Sequence, residues 1–229
     1  VGGLGADTLE GGEGADRMLG GAGSDLYLVN IRGDVVSEAL TFRDPTDAGG
    51  IDTVISLVSF SLAATAGVGF VENLILAGTA NTRATGNDLG NSLTGNAGRN
   101  AISGGLGDDT ISGGAGNDVL TGGAGSDSFI FTHAPGPGNR DRITDFDPTQ
   151  DTIHLDSSVF SGLTAGGLSP TAFATNLDGR AADALNRIIY ESDTGLLWYD
   201  SDGTGAAARV VFASLAVGLA LSDLDFFVA

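Results

Sequence analysis

Along the first 28 residues an apolar side chain returns in a fixed place once in nine. GGLGADTLE (2–10), GGEGADRML (11–19) and GGAGSDLYL (20–28) are contiguous nonapeptides, with glycine at positions one, two and four, aspartate at six and an apolar residue at eight. The period resumes in GNDLGNSLT (86–94), GNAGRNAIS (95–103), GGLGDDTIS (104–112), GGAGNDVLT (113–121) and GGAGSDSFI (122–130). Position eight is Leu9, Met18, Tyr27, Leu93, Ile102, Ile111, Leu120 and Phe129, while position six is Asp or Asn throughout. Three residues with an apolar centre, followed by six rich in glycine, predict a very short strand and a tight turn. Glycine supplies positive φ there and lets neighbouring backbones approach. Two nonapeptides complete one turn of a flattened helix, so each loop stacks on the loop eighteen residues away.

The frame continues, degraded, through 29–85. Nine residues after Asp25 stands Asp34, with Val36 at position eight; eighteen later comes Asp52, with Val54. Eighteen before Asn91 lies Asn73, in the apolar run Asn73-Leu74-Ile75-Leu76. The two frames differ by three residues, which places a short insertion near Ser61–Gly69. After Phe131 the period gives way to a Pro/Gly segment, Ala134-Pro135-Gly136-Pro137-Gly138. Beyond it, Asp141–Phe146 and Asp151–Leu155 alternate like strands, and Arg187–Glu191 and Leu196–Asp200 flank a hairpin turn, Ser192-Asp193-Thr194-Gly195. Arg209–Ala213 offers a further strand, and Ala172–Ala184 a short helix or a loop. The chain therefore divides into a repeat region, 1–130, and a β-rich C-terminal region, 131–229. It opens inside the pattern, on VGGLGAD, which suggests a piece of a longer protein.

Charge turns this geometry into a problem. The chain carries 29 Asp and Glu against 10 Arg and no Lys, a formal net charge of −19. Nucleic acid is excluded as a natural partner, because phosphate binding needs clustered cations, and an anionic membrane surface is disfavoured. No apolar run is long enough to span a bilayer. Disorder is the obvious outcome for such a glycine-rich acidic chain, yet 41% of its residues are apolar. Stacked strands lie about 4.8 Å apart, so position-six carboxylates form ladders in which neighbours repel by about 0.9 kcal/mol even in water. A cation is required. With no cysteine and only His133 and His154, zinc has no ligand set. Ca²⁺, which takes six to eight oxygens, suits carboxylates beside glycine-loop carbonyls, whereas Mg²⁺ demands tighter geometry and retains water. Several Ca²⁺ ions between paired loops are expected, with folding coupled to their binding.

The loops that would hold them are 2–7 with 20–25 (Gly2, Gly3, Gly5 and Asp7 facing Gly20, Gly21, Gly23 and Asp25) and 104–109 with 122–127 (Gly104, Gly105, Gly107 and Asp109 facing Gly122, Gly123, Gly125 and Asp127). Gly11, Gly14 and Asp16 face the degraded loop ending at Asp34, and Gly113, Gly114, Gly116 and Asp118 face Asn100. Neutral Asn91 and Asn100 give oxygen without charge, so sites in the first half of the second block should be weaker or empty.

These nonapeptides resemble the RTX, or haemolysin-type, calcium-binding repeat. The resemblance implies an all-β, right-handed parallel β-roll with Ca²⁺ in its turns and a C-terminal β-strand cap. Residues 141–229, with DRITDF, DTIHL, RIIYES, LLWYDSDGTG and a final SDLDFFVA, resemble more loosely the end of serralysin-type exoproteins. That likeness implies secretion through type I machinery, with Asp225, Phe226, Phe227 and Val228 as the export signal, although the same residues suit an edge strand. Asp44-Pro45 and Asp147-Pro148 are similar to bonds cleaved in some RTX proteins, and equally to ordinary turns.

No zinc-protease H-E-x-x-H and no G-x-S-x-G are present, so no catalytic residues are assigned and catalysis is expected upstream, if anywhere. Asp200-Ser201-Asp202-Gly203 starts like an EF-hand but places its glycine too early, and Trp198 and Tyr199 read as strand residues rather than a sugar platform. The leading expectation is a non-catalytic calcium-dependent folding and export module of a secreted bacterial protein. The alternatives are an adhesin or polysaccharide-binding module, or the tail of a secreted protease, lipase or alginate epimerase.

Overall fold

The computed structural model describes residues 1–38, 49–63 and 70–229. Its strands form two sheets that wind as one parallel β-roll. One sheet stacks, in order, Thr8–Glu10, Leu26–Val29, Thr53–Ser56, Asn73–Leu76, Ser92–Thr94, Thr110–Ser112, Ser128–Phe131, Thr152–Leu155 and Phe226–Val228, all parallel, with Gly166–Gly167 antiparallel at its edge. The facing sheet runs from Phe60–Ser61 through Arg83–Thr85, Ala101–Leu106, Val119–Ala124 and Asp141–Ile143 to Val210–Ser214. Two parallel pairs, Gly3–Leu4 with Gly21–Ala22 and Arg17–Leu19 with Val35–Ser37, complete the N-terminal turns.

Strands this short hold together because their centres alternate inward. Leu9, Tyr27, Val54, Leu74, Leu93, Ile111, Phe129 and Ile153 form one buried column, and Met18, Val36, Ala84, Ile102, Leu120 and Ile143 belong to the same core. Where the repeat is strict, strands pair at the expected separation, as in Leu93 with Ile111 and Ile111 with Phe129.

In the degraded stretch the winding persists but the turns differ in length. Tyr27 pairs directly with Val54, a turn of 27 residues, so Asp52 follows Asp25 in the same column. The next two turns are 20 and 19 residues, which corrects the position of the second frame. Glu72, and not Asn73, stands before the strand where a position-six residue belongs, and Asn73 is the first residue of the strand. Part of the insertion expected near Ser61–Gly69, and the Asp44-Pro45 bond, lie outside the described residues.

Beyond Phe131 the loops change character while both sheets continue. Asp141–Ile143 and Thr152–Leu155 extend them in parallel. Ile188–Glu191 and Leu196–Tyr199 form the expected antiparallel hairpin, and Val210–Ser214 joins it to the roll. Ala172–Ala184 holds no helix; Phe173–Asn176 is a strand, paired parallel with Ile188–Glu191. This end is filled with aromatic rings: Phe160 packs edge-on against Tyr199 and Phe212, and Phe131 against Phe212. Phe226 and Val228 are buried, one strand in from the edge rather than on it.

Candidate metal centre

The position-six residue ends each loop where the chain turns into its strand, and there it is tied to the next turn. The N–H of Asp7 donates to Oδ1 of Asp25 (2.7 Å), that of Asp16 to Asp34 (3.1 Å), Asp25 to Asp52 (2.7 Å), Asp109 to Asp127 (2.9 Å) and Asn100 to Asp118 (2.7 Å). All four pairings expected from the repeat are therefore brought together. The same bond joins Asn91 to Asp109, Asp118 to Asp141 and Asp127 to Asp151.

This bond engages one carboxylate oxygen only. The buried Oδ2 atoms of Asp7, Asp16, Asp25, Asp109 and Asp118 have no hydrogen-bond partner. Leaving a buried carboxylate oxygen unsatisfied is costly, so these atoms mark where a cation is needed. Position-one glycine is explained by the same atoms: a Cβ on Gly2 would lie 2.5 Å from Asp7 Oδ2, one on Gly113 2.5 Å from Asp118 Oδ2, and Gly20, Gly104 and Gly122 would meet Asp25, Asp109 and Asp127 still closer. Gly105 and Gly107 hold φ of 123° and 90°, a region that disfavours side chains. The loop backbone thereby passes close to the carboxylate, as an oxygen-ligand cage requires.

Electrostatics agree with a missing positive charge. Burial pushes the carboxyl of Asp109 up to about 7 and that of Asp118 to about 6, against an ordinary 3.8, and burial likewise raises Asp25 and Asp127. Asp109 is raised further by the charge of Asp127, and Asp25 by that of Asp7. The residues fit an oxygen-coordinated divalent cation: paired carboxylates, free inward oxygens and glycine loops without side chains in the way.

Three position-six residues, Asn100, Asn91 and Asp34, are otherwise engaged. Asn100 Nδ2 donates to the carbonyl of Thr82 (3.3 Å), to Thr82 Oγ1 (3.2 Å) and to Asn96 Oδ1 (3.1 Å), while Asn100 Oδ1 accepts from the Asn96 N–H (2.8 Å). An amide nitrogen here gathers oxygens as a cation would. Asn91 does the same with the carbonyl of Glu72 (3.2 Å) and Asn87 Oδ1 (3.1 Å). At Asp34 the N–H groups of Asn30 and Ile31, both at 3.2 Å, occupy Oδ2.

Two ladder members escape a count by nines, Asp141 and Asp151, which insertions set 23 and 24 residues from their partners. Asp52 keeps the count, 27 residues after Asp25, but stacks on Asp25 directly. A signal existed in the local triplets Asp52-Thr53-Val54, Asp141-Arg142-Ile143 and Asp151-Thr152-Ile153, which repeat the Asp, any residue, apolar order of positions six to eight. Burial raises the Asp141 carboxyl to about 7.

The C-terminal candidates take structural parts. Asp225 Oδ2 accepts from the Ser222 N–H (2.6 Å) and caps the 3-10 turn Asp223–Asp225. Trp198 Nε1 donates to Glu191 (2.9 Å) and Arg209 covers the indole face at 4.2 Å, while Tyr199 hydroxyl donates to the Ser161 carbonyl (2.6 Å). The His133 ring meets Thr132 Oγ1 at 3.1 Å, and His154 stacks near Phe227 at 5.3 Å. Among the described residues no helix is long and apolar enough to cross a membrane.

Comparison with known proteins agrees with the loop chemistry. Residues 1–27 and 94–129 match the RTX calcium-binding nonapeptide repeat, in 4 copies. Among solved structures, the chain is similar to the solution structure of the AlgE6R3 subunit from the Azotobacter vinelandii mannuronan C5-epimerase. The two are 28% identical over 63% of this chain and 76% of that one, with a TM-score of 0.40. No curated protein sequence matches.

Proposed function

From the RTX calcium-binding nonapeptide repeats that this chain carries, we propose that it is a calcium-gated folding module of a secreted bacterial protein. The observation that carries this reading is the set of buried Oδ2 atoms without partners, each set against a glycine whose Cβ would fill the space. Asp7 with Asp25 and Asp109 with Asp127 are the principal cation ligands, with the carbonyls of their glycine loops; Asp16 and Asp118, facing Asp34 and Asp141, are secondary. Bound Ca²⁺ supplies two positive charges and coordination for those oxygens, which the protein cannot supply itself.

Low cytosolic Ca²⁺ leaves the ladders repelling and the chain unwound, a state suited to passage through a type I channel. Outside, abundant Ca²⁺ stabilises the roll by mass action even at weak sites. Strand Phe226–Val228, capped by Asp225, then closes the sheet, and as an unfolded tail the same residues are available as an export signal. Circular dichroism of the chain titrated with Ca²⁺ and then with chelator tests the reading. Cooperative gain of β structure and its reversal by chelator are expected, and β structure indifferent to both would overturn it.

A further inference from the structure

The winding gathers cations that the sequence spreads out. Arg83, Arg99, Arg140 and Arg142, four of the ten arginines, flank the position-six places of the facing sheet, Thr82, Asn100 and Asp141. Arg83 pairs with Ala101, Ala101 with Val119 and Val119 with Arg142, so the two strand arginines stand in one row, three strand spacings or about 14 Å apart. The N–H of Arg99 donates to Asn81 Oδ1 and that of Arg140 to Asn117 Oδ1, each at 2.8 Å, which sets a second row two residues before the first. The residues between the rows, Thr82, Asn100, Asp118 and Asp141, are buried, and all four arginines are exposed.

Besides these arginines, the outward places of the four turns hold only Asn, Ser, Thr, Ala and Val. Asp145, the exposed acid that follows them, is turned to the N–H groups of Gly122 and Gly123. The strands of the other long sheet carry no arginine at all. At one end of the strip Arg83 and Arg99 line a hollow of 330 Å³ with Asn81 and Asn117. Toward the other, Arg142 pairs with Ser214, and Arg140, Arg209 and Trp198 line a hollow of 260 Å³. There the Arg209 guanidinium lies over the indole at 4.2 Å and donates to the Asp178 carbonyl at 2.7 Å. On a chain of net charge −19, a long, shallow, acid-free cationic strip is a recognition surface in search of an anion.

We propose that the strip from Arg83 to Arg209 binds a linear carboxylated polysaccharide laid along the axis of the roll. A guanidinium is a planar fork that meets a carboxylate with two parallel hydrogen bonds, and a polyuronate offers one carboxylate per sugar, sparse enough for four arginines in two rows. The small Ala101 and Val119 and the hydroxyls of Ser103 and Thr121 leave the ground between the arginines flat and able to bond sugar oxygens. Nucleic acid fits less well. Duplex DNA sets one charge every 1.7 Å or so against an acidic chain, and single strands need aromatic faces for their bases, whereas Arg209 already covers the face of Trp198.

Calorimetric titration of the whole chain with a galacturonate hexamer tests this, at one Ca²⁺ concentration at which circular dichroism shows every variant wound. Fluorescence of Trp198, the chain's single tryptophan, gives a second readout at the hollow. The double variant R83Q/R142Q removes two outward charges and leaves the inward residues alone. It should weaken binding about five- to thirtyfold, the loss of two exposed ion pairs. R32Q, at an exposed arginine of the N-terminal turns, should bind as the unaltered chain does, and a neutral glucose hexamer should not bind. Arg99 bears on the carboxylate of Asp118 and is left in place. Should the double variant not wind, R140Q decides by the same comparison. No binding of the galacturonate hexamer, equal binding by the wound variant, or a single-stranded DNA hexamer bound as tightly overturns the proposal.

Discussion

At the scale of single residues, the side chain that matters most is often the one glycine lacks. A Cβ at Gly104 would collide with Asp109 Oδ2 and lie 2.5 Å from the Gly122 carbonyl, both parts of the turn rather than flexible surface. Gly104→Ala should therefore cost about 1–3 kcal/mol, the range for overpacking a close-packed site, and raise the Ca²⁺ midpoint. Gly138→Ala, which meets nothing within 4 Å, should leave both unchanged. Urea denaturation at fixed Ca²⁺ measures the contrast. The carboxyls add a pH signature. In the metal-free chain, burial holds Asp109 and Asp141 at about 7 and Asp118 at about 6, above the ordinary 3.8. A folded state that binds protons more tightly than the unfolded chain is favoured by acid. The contribution is complete below about 3.8 and disappears as pH rises through about 6–7. In chelator, β structure should thus decline between pH 5 and pH 8. With Ca²⁺ present, affinity should instead rise over that interval, because the ion displaces the protons.

At the scale of the element, a turn is stabilised either by metal or by amide. The strands Arg83–Thr85 and Ser92–Thr94 lie beside turns in which Asn91 bonds Asn87, Asn100 bonds Asn96, and Asn91, Asn96 and Asn100 also reach nearby carbonyls. Thr110–Ser112 and Ser128–Phe131 follow Asp109 and Asp127 instead. Hydrogen exchange in chelator should therefore find protection lost in the latter pair before the former, and equal loss would remove the distinction. Much of this was legible beforehand. The column from Leu9 to Phe129 follows from one apolar residue in nine, and the pairs Asp7–Asp25 and Asp109–Asp127 from the same count. What escaped was phase. Each insertion resets the count, so Asp141 and Asp151 passed for ordinary strand residues and Asn73 was set one place beyond Glu72.

At the scale of the molecule, stability is distributed unevenly along the roll. One buried side chain per nonapeptide supplies little core, whereas the C-terminal end buries Phe160, Tyr190, Phe212 and Phe226 together. Phe212→Ala should cost about 3–5 kcal/mol and lower the unfolding midpoint even at saturating Ca²⁺, because its contacts do not involve metal. A stacked architecture couples each turn only to its neighbours, so that loss should spread gradually toward the N-terminus, and thermal unfolding followed by circular dichroism should broaden as well as shift. The charge of −19 is likewise a property of the bare chain. Each bound Ca²⁺ offsets two of those charges, so electrophoretic mobility toward the anode should fall when metal is added.

Where a position-six N–H donates to the carboxylate of the following turn, as in Asp7, Asp25, Asp109 and Asp127, the bond points the same way. Every such aspartate is thus a roof for the turn before it, and a tenant under the turn after it. Injury to one should pass upstream alone. In Asp127→Ala, the amide of Asp109 should exchange freely, while the amide of residue 127 keeps its shelter under Asp151.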